Sequence, residues 1–170
     1  MVMILGEYKI MMHRVDSKSE MNQCLEKCKE GYIKLIEPEC HSEYIFITFQ
    51  HHNKKELFGM GVYSTHLYFL PAIIIGHNEN ELIIVHNEYI TSFNMIEKNI
   101  LYNFKMDTII FHAKHYKDKL VVISELNVVL LNRDGNISNM HVLDDVLESF
   151  EFRQDLLICQ TSSNIVSIEI

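Results

Sequence analysis

The chain has no tryptophan, two prolines, six glycines and four cysteines in 170 residues. Each scarcity excludes something. Six glycines leave little material for phosphate-cradling loops, and no Gly-rich phosphate loop, Gly-x-Ser-x-Gly elbow or His-Glu-x-x-His zincin pattern occurs. Alanine is confined to Ala72 and Ala113, a bias against helix and toward strand. No apolar run approaches the ~18 residues of a membrane span; the longest, Leu67 to Ile75, holds nine. The start, Met1-Val2-Met3-Ile4-Leu5-Gly6-Glu7, lacks a basic segment and a long apolar one, so no secretory leader is expected. A cytoplasmic location with reduced thiols is the corresponding expectation.

Charge of one sign is also short. Fifteen Lys and Arg face 23 Asp and Glu, for a net charge of -8. Residues 1–80 carry ten acids against eight bases, and residues 81–170 carry thirteen against seven, so the acidity belongs to the second half. Phosphate neutralisation wants the opposite sign, which argues against direct nucleic-acid binding and for a basic partner. The 48% hydrophobic content supports a folded core.

What is present is a repeat. Glu81-Leu82-Ile83-Ile84-Val85, Lys119-Leu120-Val121-Val122-Ile123 and Asp155-Leu156-Leu157-Ile158-Cys159 each join a charge to four apolar residues, and their starts lie 38 and 36 residues apart. Polar turns and further apolar runs surround each one, and Asp134-Gly135 is the best hairpin turn. Each copy therefore reads as an antiparallel β-meander of up to four short strands, the last a strand short. Leu143, Val146, Leu147 and Phe150 fit helical spacing as well, but alignment to the repeat favours strand. Glu43 precedes Glu81 by 38 residues, which makes 44–70 a candidate degenerate copy. One helix is expected at about 18–30: Ser17 and Glu20 match a capping box, Met21, Cys24, Leu25 and Cys28 share a face, and Gly31 supplies a stop. Gly59 and Gly61, inside a strand, signal a bulge or a close backbone approach.

The expected fold is mainly β: repeated antiparallel meanders, propeller-blade-like or in a twisted sandwich, with one N-terminal helix. It is read as a single domain, 1–170, with a strand and helix cap over 1–40 and meanders over 41–170, clearest from 73. A meander of about 40 residues resembles a β-propeller blade.

Histidine and cysteine chemistry is weighed against simple burial. His51 and His52 are adjacent, so in a strand they face opposite ways and do not chelate together. Cys40-His41 adds zinc-compatible donors, and Cys24-x3-Cys28 has ligand-like spacing, but that pair lies on the apolar helix face. No metal or cofactor is expected. His77, His86, His112 and His115 lie in or beside turns, where a cluster next to Glu79 or Lys114 would suit acid–base work. Without a nucleophile or an oxyanion site, a solvated turn surface is the better reading, and the chain is expected not to be an enzyme.

Asp144, Asp145, Glu148, Glu151 and Asp155 against Arg153 concentrate a local charge of about -4, and Glu79, Glu81 and Glu88 extend the same face if the copies stack in register. Tyr89 and Tyr116, on turns, are the candidate aromatic anchors. In size, acidity, lack of catalytic motifs and a composition suggesting AT-rich coding, the chain is similar to bacterial immunity proteins of contact-dependent growth inhibition. That resemblance implies a non-catalytic inhibitor. Its carboxylates would occlude the active site of a cognate, basic, nuclease-type toxin. The alternative is a propeller-like protein–protein interaction scaffold that oligomerises to cover its open sheet edges.

Overall fold

A computed structural model describes residues 1–35, 43–64 and 70–170. They divide into two compact units, Met1–Pro71 and Ala72–Ile170. Among them no helix is long and apolar enough to cross a membrane.

In the first unit, β1 (Val2–Leu5) and β2 (Tyr8–Val15) form a hairpin about Gly6, whose φ of 54° suits glycine. Helix α1 (Lys18–Glu26) and β3 (Tyr32–Lys34) follow, then β4 (Glu43–His51) and β5 (Phe58–Ser64). The sheet runs β1-β2-β4-β5-β3, antiparallel except for β3 on β5. The proposed degenerate copy thus does not stand alone: Tyr44 to His51 of β4 pair with β2, which lies on the other side of the helix in sequence.

The helix start is as the sequence reads. Glu20 N donates to Ser17 Oγ at 3.1 Å, and Asp16 N donates to the Glu20 carboxylate at 2.7 Å. Its end is not: Lys27 caps the helix, four residues before Gly31, and Gly31 N donates instead to Cys28 O in the following turn. Met21 and Leu25 pack on Tyr63, Val15, Tyr44 and Phe46. Close approach explains Gly59 and Gly61. A Cβ at Gly59 would lie 2.7 Å from Cys28 Sγ, and one at Gly61 would lie 3.1 Å from Met21 Sδ.

The second unit is three consecutive meanders. The first holds β6 (Ala72–Ile75), β7 (Glu81–His86), β8 (Tyr89–Asn94) and β9 (Asn99–Lys105). The second holds β10 (Ile110–Tyr116), β11 (Lys119–Ser124), β12 (Asn127–Leu131) and β13 (Ile137–Val142). The third has β14 (Leu147–Arg153), β15 (Leu156–Thr161) and β16 (Ile165–Glu169). Strand order follows the sequence in each sheet and all pairs are antiparallel. The charged residue that marks each copy sits where the repeat puts it, at or just before the second strand, and 147–153 is strand rather than helix.

Apolar faces explain the stacking. Ile83, Val85 and Ile90 of the first meander meet Leu120, Val122, Val129 and Leu131 of the second. The opposite face of the second, with Val121, Ile123, Val128 and Leu130, meets Leu157, Cys159 and Ile168 of the third. Because β11 has a sheet on each side, its alternate residues are buried both ways, and a continuous apolar run stands where a half-covered strand would alternate.

Candidate functional site

The third meander differs from the other two in what covers it. β7 is buried at every position and β11 at all but its first, whereas β15 alternates. Leu157, Cys159 and Thr161 point inward, and Leu156, Ile158 and Gln160 point the other way. Register fixes which neighbours share that outer face: Leu156 lies opposite Arg153 and Glu169, Ile158 opposite Glu151 and Ser167, Gln160 opposite Ser149 and Ile165. Leu156 is 42% exposed and Ile165 64%. Arg153 and Glu151 pair at 2.7 Å on the same face. The arrangement is a small apolar centre with both signs of charge around it, on a sheet whose edges are β14 and β16.

Most of the acids read as a docking face are engaged within the chain. Asp144 accepts from Thr161 Oγ1 at 3.0 Å and Ser163 Oγ at 3.1 Å. Asp145 accepts from Ser162 Oγ and from Val146 N, bonds that hold its carboxyl below the usual range. Together the two aspartates tie the 143–146 connection to the β15–β16 turn. The Arg153 hydrogen bond lowers Glu151 likewise. Asp155 accepts from the Tyr116 hydroxyl and pairs with Lys117 Nζ at 3.0 Å, and the two bonds, Tyr116 first, lower its carboxyl. This links the β14–β15 turn to the β10–β11 turn. Glu148 is exposed where β14 shifts register, Glu79 is exposed in the β6–β7 turn, and Glu88 is half-buried in the β7–β8 turn.

Three expectations need correction. Tyr89 is only 8% exposed: it opens β8, its ring stacked on His86 with the Lys105 ammonium over it, so it offers no exposed anchor. Tyr116 is half-buried against the core of the third meander, with its hydroxyl already donating to Asp155. Glu81 does not extend an acidic surface either. It is 4% exposed, because its carboxylate turns inward to accept from Ser92 Oγ at 2.5 Å and His77 N at 3.0 Å.

The histidines divide. His77 and His115 do come together, with ring centroids 4.4 Å apart, and their neighbouring carboxylate is Glu81 rather than Glu79. Burial, then the His77 charge, pushes His115 below its ordinary value. His112 packs on Phe150 and Phe152 instead, and His86 on Tyr89. Ser92 is fully buried and its hydroxyl is committed to Glu81, so it is no accessible nucleophile. His51 and His52 overturn their expected separation. The strand ends at His51, the chain turns at His52, and the rings stack at 4.7 Å. Cys40 and His41 lie outside the described residues. Cys24 and Cys28 are free thiols, and burial raises Cys28.

Sequence reasoning missed Leu156 and Ile165 as a surface. Both belong to apolar runs that look like core, and they are exposed because, among the described residues, no sheet covers that side.

No protein-family model matches the chain, and no curated protein matches it. Among solved structures it is similar to a chain of a mitotic checkpoint complex (TM-score 0.50, 8% identity, covering 75% of this chain and 43% of that one). It is also similar to BamB from Moraxella catarrhalis (0.49, 14%, 73% and 40%). A third likeness is to Hsv2 from Kluyvelomyces marxianus (0.47, 15%, 76% and 43%). The chain spans about two-fifths of the length of each of these proteins. At such identities the likeness is one of fold. Among the described residues the fold is mainly β, with one helix and successive propeller-like meanders.

Proposed function

We propose that this chain is a non-catalytic protein–protein interaction module that associates with a second copy of itself through the outer face of the third meander. The observation that carries this reading is the one-sided burial of β15, where β11 is covered on both faces. Apolar surface around Leu156, Ile158 and Ile165 gains by leaving water, at roughly 25 cal/mol per Å². Charge favours a second copy over a basic partner. The face carries Glu151, Arg153 and Glu169, close to neutral, so two copies do not repel as uniformly acidic faces would. Occlusion of a nuclease-type toxin calls for available carboxylates. Asp144, Asp145, Glu151 and Asp155 are each held by a hydroxyl or a cation of the chain itself, which weighs against that reading.

Light scattering over a concentration series tests the proposal. The expected result is a mass rising from one chain to two. Leu156→Arg with Ile165→Arg should hold the protein at one chain without lowering its melting temperature. A single-chain mass for the unaltered protein at every concentration would remove the proposal's basis.

A further inference from the structure

We propose that Glu7, His51 and His52 form a binding site for a divalent transition-metal ion of the zinc class. The site is built by the hairpin of the first unit. Glu7 sits in the β1–β2 turn, and the register of β2 on β4 brings Tyr8 opposite His51, so the turn meets the end of β4. One donor atom from each side chain, a Glu7 carboxylate oxygen and a ring nitrogen of each histidine, lies within 4.8 Å of the other two.

The hydrogen bonds already present prepare the donors. His52 Nδ1 lies 3.3 Å from the Glu7 carbonyl oxygen. Donating there fixes the proton on Nδ1 and leaves the Nε2 lone pair to a ligand, as a backbone carbonyl commonly does for a metal-binding histidine. His51 Nε2 lies 2.9 Å from the Glu7 carboxylate. Asn53 N donates to His51 Nδ1 at 3.2 Å, so the proton on this ring sits on Nε2, between the imidazole and the carboxylate. A cation takes the place of that shared proton. On loading, the His51 proton moves from Nε2 to Nδ1, the Asn53 bond is given up, and both rings remain neutral.

Distance and charge are compatible with this exchange. Zinc bonds of ~2.1 Å in tetrahedral geometry set donors about 3.4 Å apart. The three side chains close by rotation, since Glu7 and His52 are exposed and His51 is half-buried. Two imidazoles and one carboxylate suit zinc, copper or nickel better than calcium or magnesium. Three protein donors leave a fourth position open. Glu7 and His52 both line a cavity of about 490 Å³ bounded also by Ile4, Gly6, Tyr8 and Lys9. Lys9 opposes the cation there, and Glu7 supplies the offsetting charge.

Titration calorimetry of the full chain with zinc chloride, under reducing conditions, tests the site. Cobalt(II) absorption spectra serve as a second readout. One saturable equivalent is expected, with cobalt spectra of low coordination number. His51→Ala, His52→Ala and Glu7→Gln should each weaken it by at least about tenfold. His13→Ala, on an exposed strand position, should leave it unchanged. Glu7→Gln keeps the side-chain shape, so a loss there with an unaltered melting curve cannot be ascribed to unfolding. No saturable zinc binding, or an affinity in the three variants equal to that of the unaltered protein, would overturn the proposal.

Discussion

Ser92 donates its hydroxyl to the Glu81 carboxylate at 2.5 Å, and both side chains are buried on adjacent strands of the first meander. A buried carboxylate is tolerated only when hydrogen bonds replace its water, and here Ser92 and His77 N supply them. Ser92→Ala removes one and leaves the carboxylate under-satisfied. The expected cost is about 1.5–3 kcal/mol, the range for hydrogen bonds to charged groups. Urea unfolding followed by circular dichroism measures it, and a change under a few tenths would mean the bond contributes little.

Gly59 carries the packing of α1 on β5. Gly59→Ala places a methyl 2.7 Å from Cys28 Sγ and 3.1 Å from Leu25 Cδ2. Overpacking of this kind costs about 1–3 kcal/mol. Adding Cys28→Ala should recover part of the loss, because the nearest clashing atom is gone. Thermal melts of the single and double variants would reveal the coupling.

Acid should weaken the second unit through His115 and His112. Burial first, then His77 for His115 and Lys114 for His112, lowers both below their ordinary value. The unfolded chain therefore binds these protons first. Stability is complete above the unfolded value of about 6.5 and is lost as pH falls from there through the lowered values of the fold. Melting temperature should drop between about pH 7.5 and about pH 5. In His115→Gln and His112→Gln the drop should be shallower. An equal slope in both variants would show that other groups dominate.

Cys159 lies in the core between the second and third meanders, and burial pushes its thiol up to about 11. Iodoacetamide near neutral pH should leave it unmodified in the native protein and alkylate it in urea. Peptide mass spectrometry reads the result, with the more accessible Cys24 as internal reference. Rapid native labelling of Cys159 would mean that the third meander opens readily.

Local and periodic features were legible in the sequence. The Ser17–Glu20 capping box, the close approach at Gly59 and Gly61, and the three meanders marked by Glu81, Lys119 and Asp155 all follow from residue type and spacing. Features set by long-range pairing were not. Nothing near Tyr44 announces that its strand pairs with one on the other side of a helix, and nothing at Glu81 distinguishes a buried carboxylate from a solvated one. Tyr89 follows the turn residues Asn87 and Glu88 at the very start of a strand, and nothing in that order tells that its side chain is covered. A continuous strand would keep His51 and His52 on opposite faces, but β4 ends between them.

The most direct measurement is hydroxyl-radical footprinting of the unaltered protein, dilute and concentrated. If copies meet on the outer face of the third meander, Leu156 and Ile165 lose reactivity as concentration rises, while Val142, 71% exposed on β13, stays reactive. Constant reactivity at Leu156 and Ile165, or protection at Val142 instead, would contradict self-association through that face.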